Sequence, residues 1–148
     1  MLPKDFIAKL SGPAQDLEKT SKIPASVTIA QAALESAWGA SAPGFNLFGI
    51  KADRSWNGAI LYLNTHEVIK GVSTPVTAQF RAYKTWLGSI EDHAQFLLKN
   101  PRYKPCFATT NAMDFCKQLQ ACGYSTSPTY ADTLIEIINQ HNLLALDK

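Results

Sequence analysis

Residues 24–39 read PASVTIAQAALESAWG, and this stretch decides the fold. Apolar residues recur in it at intervals of three and four, the spacing of a stripe along one side of a helix: Val27, Ala30, Leu34 and Ala37. Gly39 follows as a helix stop signal. The sequence therefore predicts a helix from Pro24 to about Trp38, the best defined helix in the first half of the chain.

Glu35 lies at the edge of this apolar stripe, offset by about 100° from Leu34, and shares its helix face with Thr28 and Gln31. A carboxyl group beside an apolar surface loses part of its hydration, which raises its pKa. Such a group can stay protonated near neutral pH and act as a general acid. Periodicity alone favours the simpler alternative of a solvated helix residue, because most glutamates are exposed.

The sequence after this helix predicts a loop and then a small β-hairpin. Turn-forming residues are dense between Ser41 and Asn57, which indicates an irregular loop. Two β-rich runs follow, Ala59–Ile69 and Val76–Tyr83, and residues 70–75 separate them. This pattern is typical of an antiparallel hairpin.

Helical spacing covers most of the remaining chain. Residues 4–20 carry it with Gly12-Pro13 in the middle, which predicts two short helices or one kinked helix. It returns from Thr85 to Asn100 and from Asn111 to Ala121, and a last helix is expected to begin at Ser127-Pro128. The prediction is one α+β domain over residues 1–148, mainly helical, with a groove between the helical body and the hairpin lobe.

Composition and charge limit the possible functions. The chain has 148 residues, is 46% hydrophobic and 18% charged, and has a mean hydropathy of −0.09, as ordinary globular proteins do. Its net charge of +2 is too small to indicate nucleic-acid binding. No segment is apolar enough for a signal peptide or a bilayer span. We therefore expect synthesis in the cytoplasm without a signal peptide, and no stable membrane insertion.

The sequence contains no pattern of metal ligands. The three histidines, His66, His93 and His141, are far apart, and no phosphate-binding glycine loop occurs. No metal and no cofactor are therefore expected. His93 lies on the apolar side of its helix and is predicted to be a hydrogen-bonded core residue. The odd number of cysteines, at positions 106, 116 and 122, predicts reduced and mostly buried thiols.

Five blocks in register resemble the glucosaminidase family, which includes the wall-digesting domain of the flagellar rod-assembly protein and many autolysins. The blocks are ALESAWG (33–39) with NLFGIK (46–51), LNTHE (63–67), FRAY (80–83), SIEDHAQFL (89–97) and GYSTSPTYA (123–131). The resemblance implies a lysozyme-like fold with a small hairpin lobe. It also implies cleavage of the β-1,4 bond after N-acetylglucosamine in peptidoglycan.

The same resemblance assigns roles to three residues. Glu35 matches the acid that protonates the glycosidic oxygen, Glu67 the hairpin glutamate proposed as second carboxylate, and Tyr130 a tyrosine that lines the cleft. Val68 departs from the family pattern, in which an aromatic residue often follows the hairpin glutamate. Ser125 and Ser127 also depart from it, in the late turn.

Five further residues are expected to bind the glycan: Gln31, Asn46, Phe48, Trp56 and Tyr124. A flat aromatic ring can cover the apolar face of a sugar, although buried rings belong first of all to the core. By their helical spacing, Trp86, Phe96 and Phe115 are predicted to be core residues. His66 alternates to the opposite strand face from Glu67 and is predicted to lie on the surface.

The sequence leaves mechanism and setting open. Glu67 could act as base on a water in an inverting route, or the 2-acetamido oxygen of the substrate could attack instead. A muramidase or lytic transglycosylase, and a non-catalytic wall-binding module, are the rival functions. The expected partner is the peptidoglycan glycan strand, bound by a monomer in the periplasm or cell wall. The expected setting is a bacteriophage endolysin released by a holin.

Overall fold

The computed structural model describes residues Met1–Lys148 and confirms the α+β class. Five α-helices and one two-stranded sheet follow in chain order: α1 (Pro3–Ser21), α2 (Ala25–Ser36), β1 (Ile60–Ile69), β2 (Val72–Arg81), α3 (Trp86–Lys99), α4 (Ala112–Ala121) and α5 (Tyr130–Gln140). Short 3-10 segments cover Pro43–Phe45, Pro101–Ala108 and Leu143–Leu146. No helix has the length and apolarity that a membrane span requires.

Helix α2 is the central element of the helical body, packed against α1, α4 and α5. Residues 25–33 are buried on every side of it, including the polar Thr28 and Gln31. The predicted one-sided stripe was therefore wrong, since Leu34 is only half-buried and Ala37 is exposed. The many small side chains of this helix let neighbouring elements approach it from all directions, so the helix has no solvated face before its last turn.

Helix α2 ends at Ser36, two residues earlier than predicted. Ala37 and Trp38 both adopt left-handed backbone angles, with φ of 51° and 58°. The Trp38 amide donates back to the Ala33 carbonyl at 2.9 Å, as in a common helix C-cap. The chain therefore turns away directly after Glu35, which leaves Glu35 in the final turn.

The first turn of α2 is capped from outside the helix. Pro24 offers no capping side chain. Instead, Asp147 accepts hydrogen bonds from the Ser26 amide at 2.7 Å and the Ser26 hydroxyl at 2.5 Å. Glu18 of α1 accepts from the Ala25 amide at 2.9 Å. These two carboxylates replace the local cap that the sequence lacks and complement the positive end of the helix dipole.

Helix α1 is continuous, which excludes two separate helices and leaves the predicted alternative of a single helix through Gly12-Pro13. Pro13 lies inside the helix, where it removes one backbone hydrogen bond. One face of α1 nevertheless buries Phe6, Leu10 and Ala14 in the core. Burial of this face on both sides of Pro13 outweighs the single lost bond.

The hairpin is longer and its turn tighter than predicted. Strand β1 pairs antiparallel with β2 from Ile60 opposite Arg81 to Ile69 opposite Val72. Only Lys70 and Gly71 form the turn, both with positive φ, as in a type I′ turn. Residues 72–75, predicted as part of the turn, belong to the strand, because Pro75 can occupy the open edge of a two-stranded ribbon.

The second half of the body follows the sequence closely. Helix α4 begins one residue after the predicted start, and α5 begins at Tyr130, two residues after the predicted start signal at Pro128. The 3-10 segment Pro101–Ala108 was not anticipated. Cys106 and Cys116 are buried and Cys122 is half-buried, all as free thiols.

Candidate active site

Glu35 lies in the last turn of α2 and opens into a cleft between the helical body and the base of the hairpin. The cleft has a cavity of about 490 Å³. Residues from five parts of the chain line it: Glu35, Phe48, Gly49, Ile50, Lys51, Asp53, Phe96, Tyr103, Tyr124, Ser125 and Thr126. A carboxyl group therefore faces a cleft with polar and aromatic walls, as ligand sites commonly have.

A hydrogen-bonded chain of three side chains runs from the protein interior to this carboxyl. The amide nitrogen of Gln31 donates to the Tyr130 hydroxyl at 2.9 Å. The hydroxyl in turn donates to Oε1 of Glu35 at 3.3 Å. Tyr130 is the first residue of α5 and is almost fully buried, so α5 presents its hydroxyl to α2.

Burial raises the pKa of Glu35 above its ordinary value of 4.5, and the hydrogen bond from Tyr130 partly opposes this by stabilising the ionised form. The side chain is accessible from the cleft. The protein atoms beneath and around it nevertheless exclude part of the water, which disfavours the charged form. The direction of the shift is the one predicted from the sequence, and it suits a proton donor.

Glu67 lies on the hairpin and does not line the cavity of Glu35. It occupies the half-buried face of β1, and His66 points to the exposed face, as predicted. The Glu67 carboxylate pairs with the ammonium of Lys51 at 2.5 Å. Because Lys51 lines the cavity, Glu67 stands one side chain away from the space in front of Glu35.

Asp53 is the second carboxylate that lines the same cavity, and sequence reasoning did not select it. Its Oδ1 accepts from the Ser55 amide at 2.9 Å and the Ser55 hydroxyl at 2.5 Å. These bonds, together with the nearby charge of Arg81, hold the pKa of Asp53 below its ordinary value. A carboxylate whose pKa is lowered therefore lies in the same cleft as a carboxyl group whose pKa is raised.

A second cavity, of about 620 Å³, continues the cleft past Asp53 and Phe96, which line both cavities. Arg81 forms its wall, where it is almost fully buried and binds Asp92 at 3.0 Å. The Arg81 guanidinium also lies 4.9 Å from the centre of the Trp56 ring. The two cavities therefore adjoin at Asp53 and Phe96.

Two residues predicted to bind the glycan have no surface to do so. Gln31 is fully buried and donates a hydrogen bond to the Tyr130 hydroxyl. Asn46 is buried, and its amide nitrogen donates to the carbonyls of Ile50 and Arg81, each at 2.9 Å. Its oxygen accepts from two loop amides. Both predictions were wrong, because each polar side chain serves the fold around the cleft.

The three predicted aromatic contacts have different outcomes. Tyr124 lines the Glu35 cavity and stacks on Tyr130, with 5.6 Å between ring centres. Phe48 also lines this cavity, although most of its ring is buried. Trp56 lines the neighbouring cavity instead. Phe96, predicted as a core residue, is half-buried and lines both cavities.

His93 supports the floor of the cleft without making hydrogen bonds. It is fully buried and stacks on Phe48, with 3.8 Å between ring centres. Neither ring nitrogen has a partner, so the predicted hydrogen-bonded histidine was wrong in that respect. Burial lowers the pKa of His93 to about 3, which keeps the ring neutral. The structure contains no group of three or more His, Cys, Asp or Glu side chains arranged to hold a metal ion.

Sequence reasoning also missed several residues of the cleft walls, namely Lys51, Asp53, Tyr103 and Thr126. Lys51 ends the second half of the first family-like block, and Thr126 lies in the last block. Their proximity to Glu35 follows from chain folding between distant segments, which local patterns do not encode.

Comparison with known proteins gives consistent matches over nearly the whole chain. The profile of the family described as mannosyl-glycoprotein endo-beta-N-acetylglucosaminidase matches residues 11–143. The chain is 38% identical over 144 residues to the peptidoglycan hydrolase FlgJ of Salmonella typhimurium, covering 93% of this chain and 46% of the relative. It is also 38% identical over 151 residues to the exo-glucosaminidase LytG of Bacillus subtilis, covering 97% of this chain and 53% of the relative.

Solved structures match the fold as well. The catalytic domain of the autolysin Auto from Listeria monocytogenes superposes with a TM-score of 0.88 at 35% identity, covering 98% of this chain and 87% of that domain. A truncated glycoside hydrolase domain of Salmonella typhimurium FlgJ gives a TM-score of 0.79 at 37% identity, covering 95% of this chain and 98% of that domain. The chain spans about half the length of the curated relatives it matches.

Proposed function

The chain belongs to the glucosaminidase family, and we propose that it hydrolyses the β-1,4 bond after N-acetylglucosamine in peptidoglycan with Glu35 as general acid. The observation that carries this proposal is the Glu35 carboxyl itself. It faces the cleft between the helical body and the hairpin, and burial raises its pKa. The names of the relatives, peptidoglycan hydrolase and exo-glucosaminidase, support the substrate.

In the first step, Glu35 gives its proton to the glycosidic oxygen, the bond from that oxygen to the anomeric carbon breaks, and the sugar ring becomes positively charged. The resulting Glu35 carboxylate then needs stabilisation. Tyr130 provides it, because its hydroxyl already donates to Oε1 of Glu35. Tyr130 therefore belongs to the proposed catalytic group.

The second step completes the attack on the anomeric carbon. We propose Glu67 as the second carboxylate, activating a water in an inverting route. This role requires Glu67 to leave Lys51 and approach the cleft, because in the structure the two side chains form an ion pair. Asp53 is an alternative second carboxylate, favoured by its place in the Glu35 cavity. In a third route, the 2-acetamido oxygen of the substrate attacks and forms a ring. The Glu35 carboxylate then takes the proton of the water that opens this ring, so no second carboxylate is needed as base.

The proposed partner is a single peptidoglycan glycan strand lying in the cleft, bound by a monomer. We place this activity in the periplasm or cell wall, where the substrate is, with release by a holin as in a bacteriophage endolysin. Production in bacteria with and without a co-expressed holin tests the release step. Lysis independent of the holin would reject it. Light scattering of the purified chain tests the subunit state.

The deciding experiment replaces Glu35 with Gln, which keeps the shape of the side chain but removes the acidic proton. Turnover of purified peptidoglycan should fall by at least about 10²- to 10⁴-fold, the usual contribution of a general acid. Glu91→Gln is the matched control, because Glu91 is exposed on α3 and makes no ion pair. It should retain wild-type turnover.

Mass spectrometry of the reduced products distinguishes the bond that is cut. Reduced N-acetylglucosamine ends support the proposal. Reduced N-acetylmuramic acid ends would indicate a muramidase, and anhydro ends a lytic transglycosylase. A folded Glu35→Gln protein with wild-type turnover would reject the role of Glu35. A wild-type protein that binds walls without releasing any product would indicate a binding module.

A further inference from the structure

Gln31 has an unusual environment for an amide side chain. It is fully buried in α2, one helical turn before Glu35 and on the same face of the helix. Its nitrogen donates to Tyr130, but its oxygen Oε1 has no hydrogen-bond partner. A buried acceptor without a partner is destabilising, and an apolar side chain of the same length would avoid that penalty. The amide therefore requires an explanation beyond packing.

The hydrogen-bonding capacity of the Tyr130 hydroxyl explains why an amide is needed at position 31. A phenol hydroxyl has one proton to donate and lone pairs to accept. Because the Gln31 nitrogen can only donate, the Tyr130 oxygen must accept from it. The single hydroxyl proton is then left for Glu35, whose Oε1 lies 3.3 Å away. Amide, hydroxyl and carboxyl thus form a chain in which every bond points toward Glu35.

We propose that Gln31 is a positioning residue that holds the Tyr130 hydroxyl proton toward Glu35 and so controls how readily Glu35 releases its own proton. This inference rests on the proposed role of Glu35 as the acid. It assigns Gln31 a place behind the catalytic group in the interior, rather than on the surface that binds the glycan.

The other charged or titratable groups around Glu35 leave Tyr130 as the main polar influence on it. Those that line the cavity come from the loop before β1, the 3-10 segment Pro101–Ala108 and the loop before α5: Lys51, Asp53, Tyr103 and Tyr124. The charge of Lys51 is offset by Glu67. Asp53 is partly offset by Arg81. Burial raises the pKa of Tyr103, Tyr124 and Tyr130, so these phenols stay neutral at pH 7.

The test compares two replacements of Gln31 that differ in hydrogen-bonding ability. Gln31→Met keeps the length and removes the donor. Gln31→Glu in its ionised form accepts the Tyr130 proton, which draws it away from Glu35, and places a second negative charge near Glu35. Carbon-13 NMR titration of the Glu35 carboxyl should give the lowest pKa in the wild type, a higher pKa in Gln31→Met and the highest in Gln31→Glu, because each step weakens the bond that stabilises the ionised form.

Activity provides the second readout. A weaker acid remains protonated to higher pH but donates its proton less readily. The alkaline limb of the pH profile should therefore move to higher pH in Gln31→Met. The plateau turnover should fall by about tenfold or less, since one hydrogen bond to a charged group is affected only indirectly.

Tyr130→Phe tests whether Gln31 acts through Tyr130. In a Tyr130→Phe background, Gln31→Met should not change the Glu35 titration. An equal shift in both backgrounds, or no shift in either, would overturn the proposal. A lower thermal stability of Gln31→Met without any change in titration would also overturn it, because that result marks a purely structural residue.

A failure of the role proposed for Gln31 can be distinguished from a failure of the role proposed for Glu35. If Gln31→Glu does not fold, the cycle of Gln31→Met and Tyr130→Phe still decides the question. The NMR titration does not depend on hydrolysis. A flat Glu35 titration across these variants rejects the role of Gln31 even if Glu35 is the acid, whereas an active Glu35→Gln protein rejects the acid even if the titration shifts.

Discussion

Replacing Arg81 with Met should lower the free energy of unfolding, because it removes the main polar contact between the hairpin and the helical body. Arg81 ends β2, and only 7% of its side chain is exposed. It binds Asp92 of α3 at 3.0 Å and donates to the Lys51 carbonyl at 3.1 Å. The Tyr83 hydroxyl donates to the same oxygen of Asp92 at 2.5 Å. Without Arg81, the Asp92 carboxylate, 20% exposed, has no positive partner.

The expected loss is large because one partner of a buried ion pair is removed and the other stays charged. Such changes destabilise proteins by about 3–5 kcal/mol. For a chain of this size, each kcal/mol lowers the melting temperature by roughly 2–4 °C, so the expected decrease is about 6–20 °C. Urea unfolding followed by circular dichroism measures the free energy of unfolding directly.

Lys51→Met is the matched comparison. It also removes a cation from an ion pair at the base of the hairpin, but the Lys51 and Glu67 side chains are 58% and 41% exposed. Pairs this exposed contribute about 0.2–1 kcal/mol. Adding Asp92→Asn to Arg81→Met should recover part of the loss, because no unpaired carboxylate remains. Equal destabilisation by Arg81→Met and Lys51→Met would show that burial does not set the strength of these ion pairs.

Two further predictions concern the carboxylates. Burial raises the pKa of Glu35 only in the folded state, so just above pH 4.5 the folded chain binds more protons than the unfolded chain. The free energy of unfolding therefore decreases as the pH rises from 4.5 through the pKa of the folded state. Glu35→Gln should therefore be more stable than the wild type at pH 7, and the difference should disappear below about pH 4; equal unfolding curves at pH 7 would contradict it. Glu67→Gln should lower turnover by about 10²- to 10⁴-fold and Asp53→Asn by less than tenfold, because Asp53 is engaged by Ser55. If Asp53→Asn lowers turnover more than Glu67→Gln, Asp53 is the second carboxylate. If neither substitution has much effect and NMR shows that early products retain the configuration of the anomeric carbon, the acetamido oxygen is the attacking group.

The elements of the fold could be predicted wherever hydrophobic spacing or turn-forming residues gave a clear local signal. The helix that carries Glu35, the hairpin and the order of the later helices all follow from periodicity and punctuating residues. The hairpin turn was misplaced because Ser73, Thr74 and Pro75 resemble a turn more strongly than Lys70-Gly71. Residues other than glycine rarely adopt a positive φ, yet Lys70 has one here. The continuity of α1 through Pro13 depends on tertiary burial, which the sequence does not display.

The sequence identified the central pair of the site, Glu35 and Tyr130, but not the residues that surround the pair. Glu35 and Tyr130 lie in two of the family-like blocks, and the structure joins them by a hydrogen bond. Gln31 and Asn46 were placed on the glycan surface because polar residues near a proposed acid are usually exposed. Their burial depends on α5 and β2, which approach from distant parts of the chain.

The cap that Asp147 provides for α2 has a consequence for the order in which the protein matures. The ribosome makes Asp147 121 residues after Ser26. At roughly 5–20 residues per second, this interval lasts about 6–24 s. Throughout that time the Asp147 carboxylate is not available to the Ser26 amide, and of the two capping carboxylates only Glu18 has been made. The cap of the helix that carries Glu35 is therefore complete only once the chain has been synthesised as far as Asp147.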